Sequence, residues 1–387
     1  MSRVGYRDLA GQVPGADQGY DWFALCHLVP ELLELERTPQ DPYFHAEGNV
    51  GIHTRMVLDA LLEDSHYRGE DSARQFVLFY AALLHDITKP QTTVIDPSSG
   101  RVSQPGHSRK GAVAARAILW RAGVPFALRE DVCRIIAVHQ VPFFAFGSKN
   151  GHAPERIART LSWVLHVPDL VAVARADMRG RTFKSQAGCL ADIELFEVLC
   201  REENCWHRPR AAANAHTRLA YARGAEVHLD TPLFQEPGSR VVVLSGLPAS
   251  GKDTWVAQHG AGLPVVSFDD AKAELGLRHG ENDGRAAHHA TDKARALLRQ
   301  KAPFVWNATH LSKQMRDKTL DLLFAYHAEV RLVYLEASPD TIFARNSARD
   351  TSLRNADIVR MLHRWEVPMP IEAHRVDYPE SAAEFGA

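Results

Sequence analysis

The segment Gly246-Leu-Pro-Ala-Ser250-Gly251-Lys252-Asp253-Thr254 is built to hold a polyphosphate. It follows the β-branched run Val241 to Leu244 and opens an expected helix. Gly246 and Gly251 let successive backbone N–H groups converge on phosphate oxygens, and the helix N-terminus adds its positive end. Lys252 is placed to neutralise the β and γ phosphates. Strand, loop, lysine and helix in this order are those of a P-loop, so ATP or another NTP with Mg²⁺ is the expected cofactor. The residue after the lysine is normally Ser or Thr; here it is Asp253, whose carboxylate is a hard ligand suited to Mg²⁺. Asp269 and Asp270 follow the second expected strand, Leu263 to Phe268. A carboxylate at the C-terminal edge of a strand beside the P-loop faces bound phosphate and can accept the proton of an attacking hydroxyl. Such a pair is also an ordinary helix cap. Arg345 and Arg349 share one helical face, where they can close over a triphosphate or form a solvated charged surface.

A second set lies upstream. His53, the pair His85-Asp86, and Asp177 each fall on an expected helix. Imidazole with carboxylate suits a transition metal better than Mg²⁺. Any one of these residues alone reads as a satisfied core or surface group; the ordered set on an all-α stretch is more specific. Lys89, Arg175, Arg179, Arg181 and Lys184 surround it. Their position around an expected ligand favours phosphate binding over a merely solvated face.

Two kinds of scaffold must position these sets. Up to residue 224 the pattern is helix after helix: Phe76 to Leu84, Lys110 to Arg121, Glu130 to Gln140 ended by Pro142, and Asp169 to Met178 broken by Gly180. A turn-rich linker spans 225–239. From Arg240 the pattern becomes strands alternating with helices, which implies a parallel sheet. The expected fold is multidomain: an all-α domain at 1–224, then an α/β P-loop domain at 240–387.

Length agrees, since 387 residues are enough for two or three domains. Hydrophobic residues at 45% and charged residues at 24% are ordinary globular usage. The net charge of −2 gives no global basic field, so any nucleic acid must be met by local patches. Five cysteines without a C-x-x-C pair argue against a disulfide framework or a cysteine zinc site, and for a reducing cytoplasm. Met1 to Tyr20 lacks the apolar region of a signal peptide, and no apolar run is long enough to cross a membrane. The 20 histidines are many, and metal ligation accounts for some of them.

The stretch from Arg240 to Arg364 resembles the polynucleotide 5′-kinase family. The motifs are Gly246-Leu-Pro-Ala-Ser-Gly-Lys-Asp-Thr-Trp255, Asp269-Asp-Ala-Lys272 and Arg345-Asn-Ser-Ala-Arg349, with Asn307 to Leu311 similar to the acceptor-side loop. The resemblance implies Asp269 as general base and Lys272 as the grip on the acceptor phosphate. It makes Arg349 the lid arginine on the donor phosphates, supported by Arg345. Ile52 to Arg181 resembles the HD phosphohydrolase superfamily through His85-Asp86-Ile-Thr-Lys89-Pro90, Gly106-His107-Ser-Arg-Lys-Gly111 and Arg175-Ala-Asp177-Met-Arg179. It implies one metal held by His53, His85, Asp86 and Asp177, with His107 and His139 holding a second metal or touching the scissile phosphate. Ni²⁺, Co²⁺ or Mn²⁺ is the expected ion. HD phosphoesterase followed by P-loop kinase is the arrangement of the HD-Pnk end-healing enzymes. The expected activities are therefore a 5′-hydroxyl polynucleotide kinase and a 2′,3′-cyclic phosphodiesterase/phosphatase in RNA repair. The expected partners are RNA or DNA ends and an RNA ligase, with no membrane. A small-molecule kinase fused to an HD nucleotidase, and a nucleotide-sensing regulator, are the alternatives.

Overall fold

The computed structural model describes residues 4–15, 17–147, 151–260, 262–277, 281–349 and 353–379. The ends of the two expected domains, 1–3 and 380–387, lie outside the described residues. The chain forms two compact units, Met1–Arg210 and Ala211–Ala387. This division precedes the expected boundary at residue 224. The helix Ala215–Ala222 belongs to the second unit, where the His216 ring stacks on that of His374 at 5.4 Å.

Among its described residues the first unit is helical apart from a two-stranded hairpin, β1 (Val94–Ile95) and β2 (Val102–Ser103). The helix Ser72–Leu84 is capped by Asp71, which accepts from the Arg74 N–H, and Phe76 to Leu84 are all buried. A helix apolar on every side must run through the middle of a core. Around it lie Val50–Leu62, Phe126–Val138 and Val167–Arg179, and His107–Arg121 packs on Phe126–Val138. The expected helix from Glu130 begins earlier, at Phe126. Pro142 does not end it but starts the next helix, Val141–Phe144, where a missing N–H costs nothing. Gly180 ends Val167–Arg179, and a Cβ there would lie 2.6 Å from a Val57 methyl, so only glycine allows this approach.

The second unit holds a five-stranded parallel sheet in the order β4-β5-β3-β6-β7. Here β3 is Arg240–Ser245, β4 Val265–Ser267, β5 Phe304–Asn307, β6 Glu329–Tyr334 and β7 Arg375–Asp377. β3 and β4 match the expected strands Val241 to Leu244 and Leu263 to Phe268. β7, at the sheet edge, has too little apolar sequence to announce itself. One expectation is corrected: β4 does not lie beside the P-loop strand β3, because β5 stands between them. The P-loop strand is central, and Val243 and Leu244 are fully buried.

Candidate functional site

In the first unit His53 lies on Val50–Leu62, His85 caps the end of Ser72–Leu84 with Asp86 following, and Asp177 lies in the last turns of Val167–Arg179. His107 begins its helix and His139 ends another. The structure brings all six together. His53 Nε2 is 3.1 Å from Asp177 Oδ1, 3.6 Å from Asp86 Oδ2 and 3.3 Å from His85 Nε2. His107 Nε2 lies 3.4 Å from Asp86 Oδ1, and His139 Nε2 lies 3.8 Å from Asp177 Oδ2.

The backbone orients the imidazoles. The Nδ1 atoms of His53, His85, His107 and His139 lie 3.1, 2.7, 2.7 and 2.8 Å from the carbonyls of Gly180, Ala82, Gln104 and Ile136. A carbonyl only accepts, so each Nδ1 carries a proton and each ring turns its Nε2 inward as the atom left for a ligand. Two such nitrogens 3.3 Å apart repel unless a proton or a metal cation lies between them. Asp86 Oδ1 and the Nε2 of His139 are buried without a hydrogen bond. Buried polar atoms of this kind are rare without a function. The donor set fits a divalent transition metal.

The electrostatics agree. Burial raises the carboxyl pKa values of Asp86 and Asp177, yet cationic neighbours outweigh it and hold both well below the usual range. For Asp86 these are His85 and Lys89; for Asp177 the first is Arg181. Burial pushes His139 down to about 3 and lowers His107, leaving both neutral and able to act as ligands. Lys89 Nζ sits 2.7 Å from Asp86 Oδ2, and Arg181 grips Asp177 through two bonds of 2.9 and 2.7 Å. Of the remaining basic residues, Arg175 is bound by Asp64 and Glu197, so its charge is directed away from the centre. Arg179 and Lys184 are exposed.

Three residues of this centre escape a reading of the sequence. Gln40 accepts from Lys89 at 2.7 Å, and His45 lies 2.7 Å from Glu47. Glu47 in turn lies 3.3 Å from His53 Nδ1. The signal was a histidine and a glutamate in a Pro- and Gly-bounded turn, too weak to choose without coordinates.

In the second unit the P-loop joins β3 to the helix Lys252–His259. Gly246 has φ 149°, and a Cβ there would lie 2.2 Å from the Leu335 carbonyl. Ala249 takes φ 64°, a conformation that costs a non-glycine residue roughly 1–2 kcal/mol. Lys252 Nζ donates to the carbonyls of Gly246 and Leu247 at 3.1 and 2.8 Å, and desolvation brings its ammonium down to about 8. Ser250, Gly251, Thr254, Arg345 and Arg349 line a cavity of about 550 Å³ at the loop.

Asp253 is exposed and accepts from Asn307 Nδ2 at 2.7 Å, with Arg349 Nη2 at 3.5 Å from its other oxygen. Because β5 adjoins β3, Asn307 ends a strand beside the loop. This carboxylate and amide pair offers oxygen atoms of the kind Mg²⁺ takes. The helix Pro339–Ser347 carries Arg345 but ends before Arg349, so the two arginines do not share one helical face. Asp269 lies in the first turn of Phe268–Glu274, where Ser267 is the cap, and is near enough to Lys252 to raise its pKa. Lys272 pairs with Asp283 at 2.6 Å.

An HD domain model matches residues 50–163, and an AAA domain model matches residues 241–368. Asp177 lies beyond the first match. The Multifunctional CCA protein of Halorhodospira halophila is 36% identical over 107 residues, 28% of this chain and 23% of that protein. That of Laribacter hongkongensis is 32% identical over 168 residues, 42% and 37% of the two chains. The A-adding tRNA nucleotidyltransferase of Deinococcus radiodurans is 32% identical over 149 residues, 38% and 31%. The matches thus span well under half the length of these relatives. A gluconokinase structure from Sinorhizobium meliloti aligns at 18% identity and TM-score 0.28, over 39% of this chain and 87% of that one. The chain combines a helical region that matches the HD domain with a P-loop domain, matching the AAA model, built on a parallel sheet. Among the described residues no single helix is long and apolar enough to cross a membrane.

Proposed function

We propose that the protein heals polynucleotide ends, in the manner of the HD-Pnk enzymes. The P-loop unit phosphorylates a 5′-hydroxyl from an NTP, and the HD unit hydrolyses a 2′,3′-cyclic phosphate and then the monoester. RNA is the proposed substrate, and an RNA ligase would act on the healed ends. One observation carries this reading: a single chain holds a buried centre of four inward-facing imidazoles and two carboxylates, and separately a phosphate cradle with lysine, arginines and a carboxylate around it. The names of the matched relatives, which concern CCA and tRNA, support a polynucleotide for the HD unit.

In the kinase reaction Lys252 leaves its loop carbonyls for the β and γ phosphates, while Arg345 and Arg349 balance charge on the donor side. Asp269 takes the proton of the 5′-hydroxyl as its oxygen bonds to the γ-phosphorus and the bond to the leaving NDP breaks. Lys272 must leave Asp283 to hold the acceptor phosphate. Asp253 and Asn307 would hold Mg²⁺, which supplies charge neutralisation.

In the HD unit His53, His85, Asp86 and Asp177 would hold a nickel, cobalt or manganese ion, with His107 and His139 completing the set. Such an ion supplies Lewis acidity and an acidified water. Lys89 contributes a cation toward the phosphate, and Arg181 keeps Asp177 ionised. The test is to incubate the full chain with a 5′-hydroxyl oligonucleotide and NTP, and with a 2′,3′-cyclic phosphate oligonucleotide. Lys252→Ala should abolish only the first activity and Asp86→Ala only the second. A parent that turns over neither substrate overturns the reading.

A further inference from the structure

The turn 39–47 alternates between the HD centre and solvent. Gln40 faces inward to Lys89, and the His45 ring lies 4.9 Å from that of His53. Between them Tyr43 and Phe44 face outward, 63% and 42% exposed, with ring centroids 4.8 Å apart. Phe44 also meets Phe183 at 6.2 Å, just past Arg181. Arg101, from the hairpin, lies over both outer rings, its Cζ 5.4 Å from Tyr43 and 5.7 Å from Phe44. The carboxylate of Asp41, itself buried, holds that guanidinium in place.

We propose that Tyr43, Phe44 and Arg101 form a nucleobase subsite that stacks the base of the nucleotide whose phosphate occupies the HD centre. The proposal rests on the phosphoesterase reading above and adds how the substrate is recognised. Phe44 is the residue before His45, so their Cα atoms are about 3.8 Å apart, and one nucleotide can span from the centre to the rings. Two adjacent exposed aromatic rings contribute little to a core. They present π faces that every base can meet, and a guanidinium already fixed by Asp41 loses little freedom on stacking. Because stacking reads no base edge, the subsite would accept any base while holding a phosphoester without one more weakly.

The experiment compares a nucleoside 2′,3′-cyclic monophosphate with ribose 2′,3′-cyclic phosphate on the full chain. Tyr43→Leu and Phe44→Leu keep apolar bulk and remove the π face. Base stacking sets the expected change: KM for the nucleoside substrate rises roughly 5- to 150-fold, with kcat, and both constants for the ribose substrate, unchanged. Equal losses on both substrates would show that the rings only shape the centre and would overturn the proposal; so would an unchanged KM. If the parent hydrolyses neither, the phosphoesterase reading has failed by itself. Binding of adenosine 3′-monophosphate against ribose 3-phosphate, with a non-hydrolysable ATP analogue filling the P-loop, then decides. A preference for the nucleotide that the leucine variants lose upholds the subsite, and equal affinities in the parent sink it.

Discussion

Asp177→Asn probes the HD centre most directly. Asp177 is fully buried, pairs with His53 at 3.1 Å and takes two bonds from Arg181. Asparagine keeps the shape but leaves the buried Arg181 cation without its counter-charge. Removing one partner of a buried pair costs about 3–5 kcal/mol. For a unit of about 200 residues this lowers Tm by roughly 6–20 °C, at ~2–4 °C per kcal/mol. Metal binding adds a second, independent signature. A divalent ion at 100 times its Kd stabilises the parent by about 2.7 kcal/mol; if the variant binds ~100-fold more weakly, the same concentration yields only about 0.4 kcal/mol. Calorimetric scans of parent and variant, in chelator and then in nickel or manganese, measure both effects. The transition of the P-loop unit in the same scan is the internal control. A variant within about 1 kcal/mol of the parent in chelator, or one stabilised by metal as much as the parent, would refute the ligand assignment.

Asp269→Ala should lower 5′-phosphorylation roughly 10²–10⁴-fold with nucleotide affinity retained, and near-normal kinase turnover would return Asp269 to a helix-start role. Asp253→Ala should raise the Mg²⁺ concentration needed for kinase activity, whereas Asp253→Ser should be tolerated; identical magnesium titrations for parent and alanine variant would limit Asp253 to its bonds with Asn307 and Arg349. Glu130 is buried between Arg116 and Arg129, with Arg116 Nη2 at 2.9 Å. Burial raises its carboxyl, but the two arginines outweigh it and bring it from 4.5 to about 2. A depressed pKa contributes stability above pH 4.5 that is lost as pH falls toward 2, here about 3 kcal/mol. Glu130→Gln should therefore destabilise the HD unit at neutral pH and flatten its acid limb; an unchanged pH profile in urea denaturation would refute the assignment.

Much of the chemistry was legible in residue order. The P-loop could be read because its parts are contiguous: a β-branched strand, two glycines and a lysine needed by one local conformation. The helices of the first unit could be read because a core helix such as Phe76 to Leu84 announces its burial in nine consecutive apolar residues. His53, His85, Asp86 and Asp177 could be singled out by type and order. Their convergence could not, because it depends on how three helices pack, and Gly180 sets one of those approaches by admitting Val57. Strand order is likewise a tertiary choice: β5 pairs between β3 and β4, which puts Asn307 rather than Asp269 at the end of the strand adjoining β3 on that side. The turn 39–47 shows the same limit at short range. Its residues lie close in sequence, but only packing against Lys89, His53 and Arg101 decides which of them face the centre and which face water.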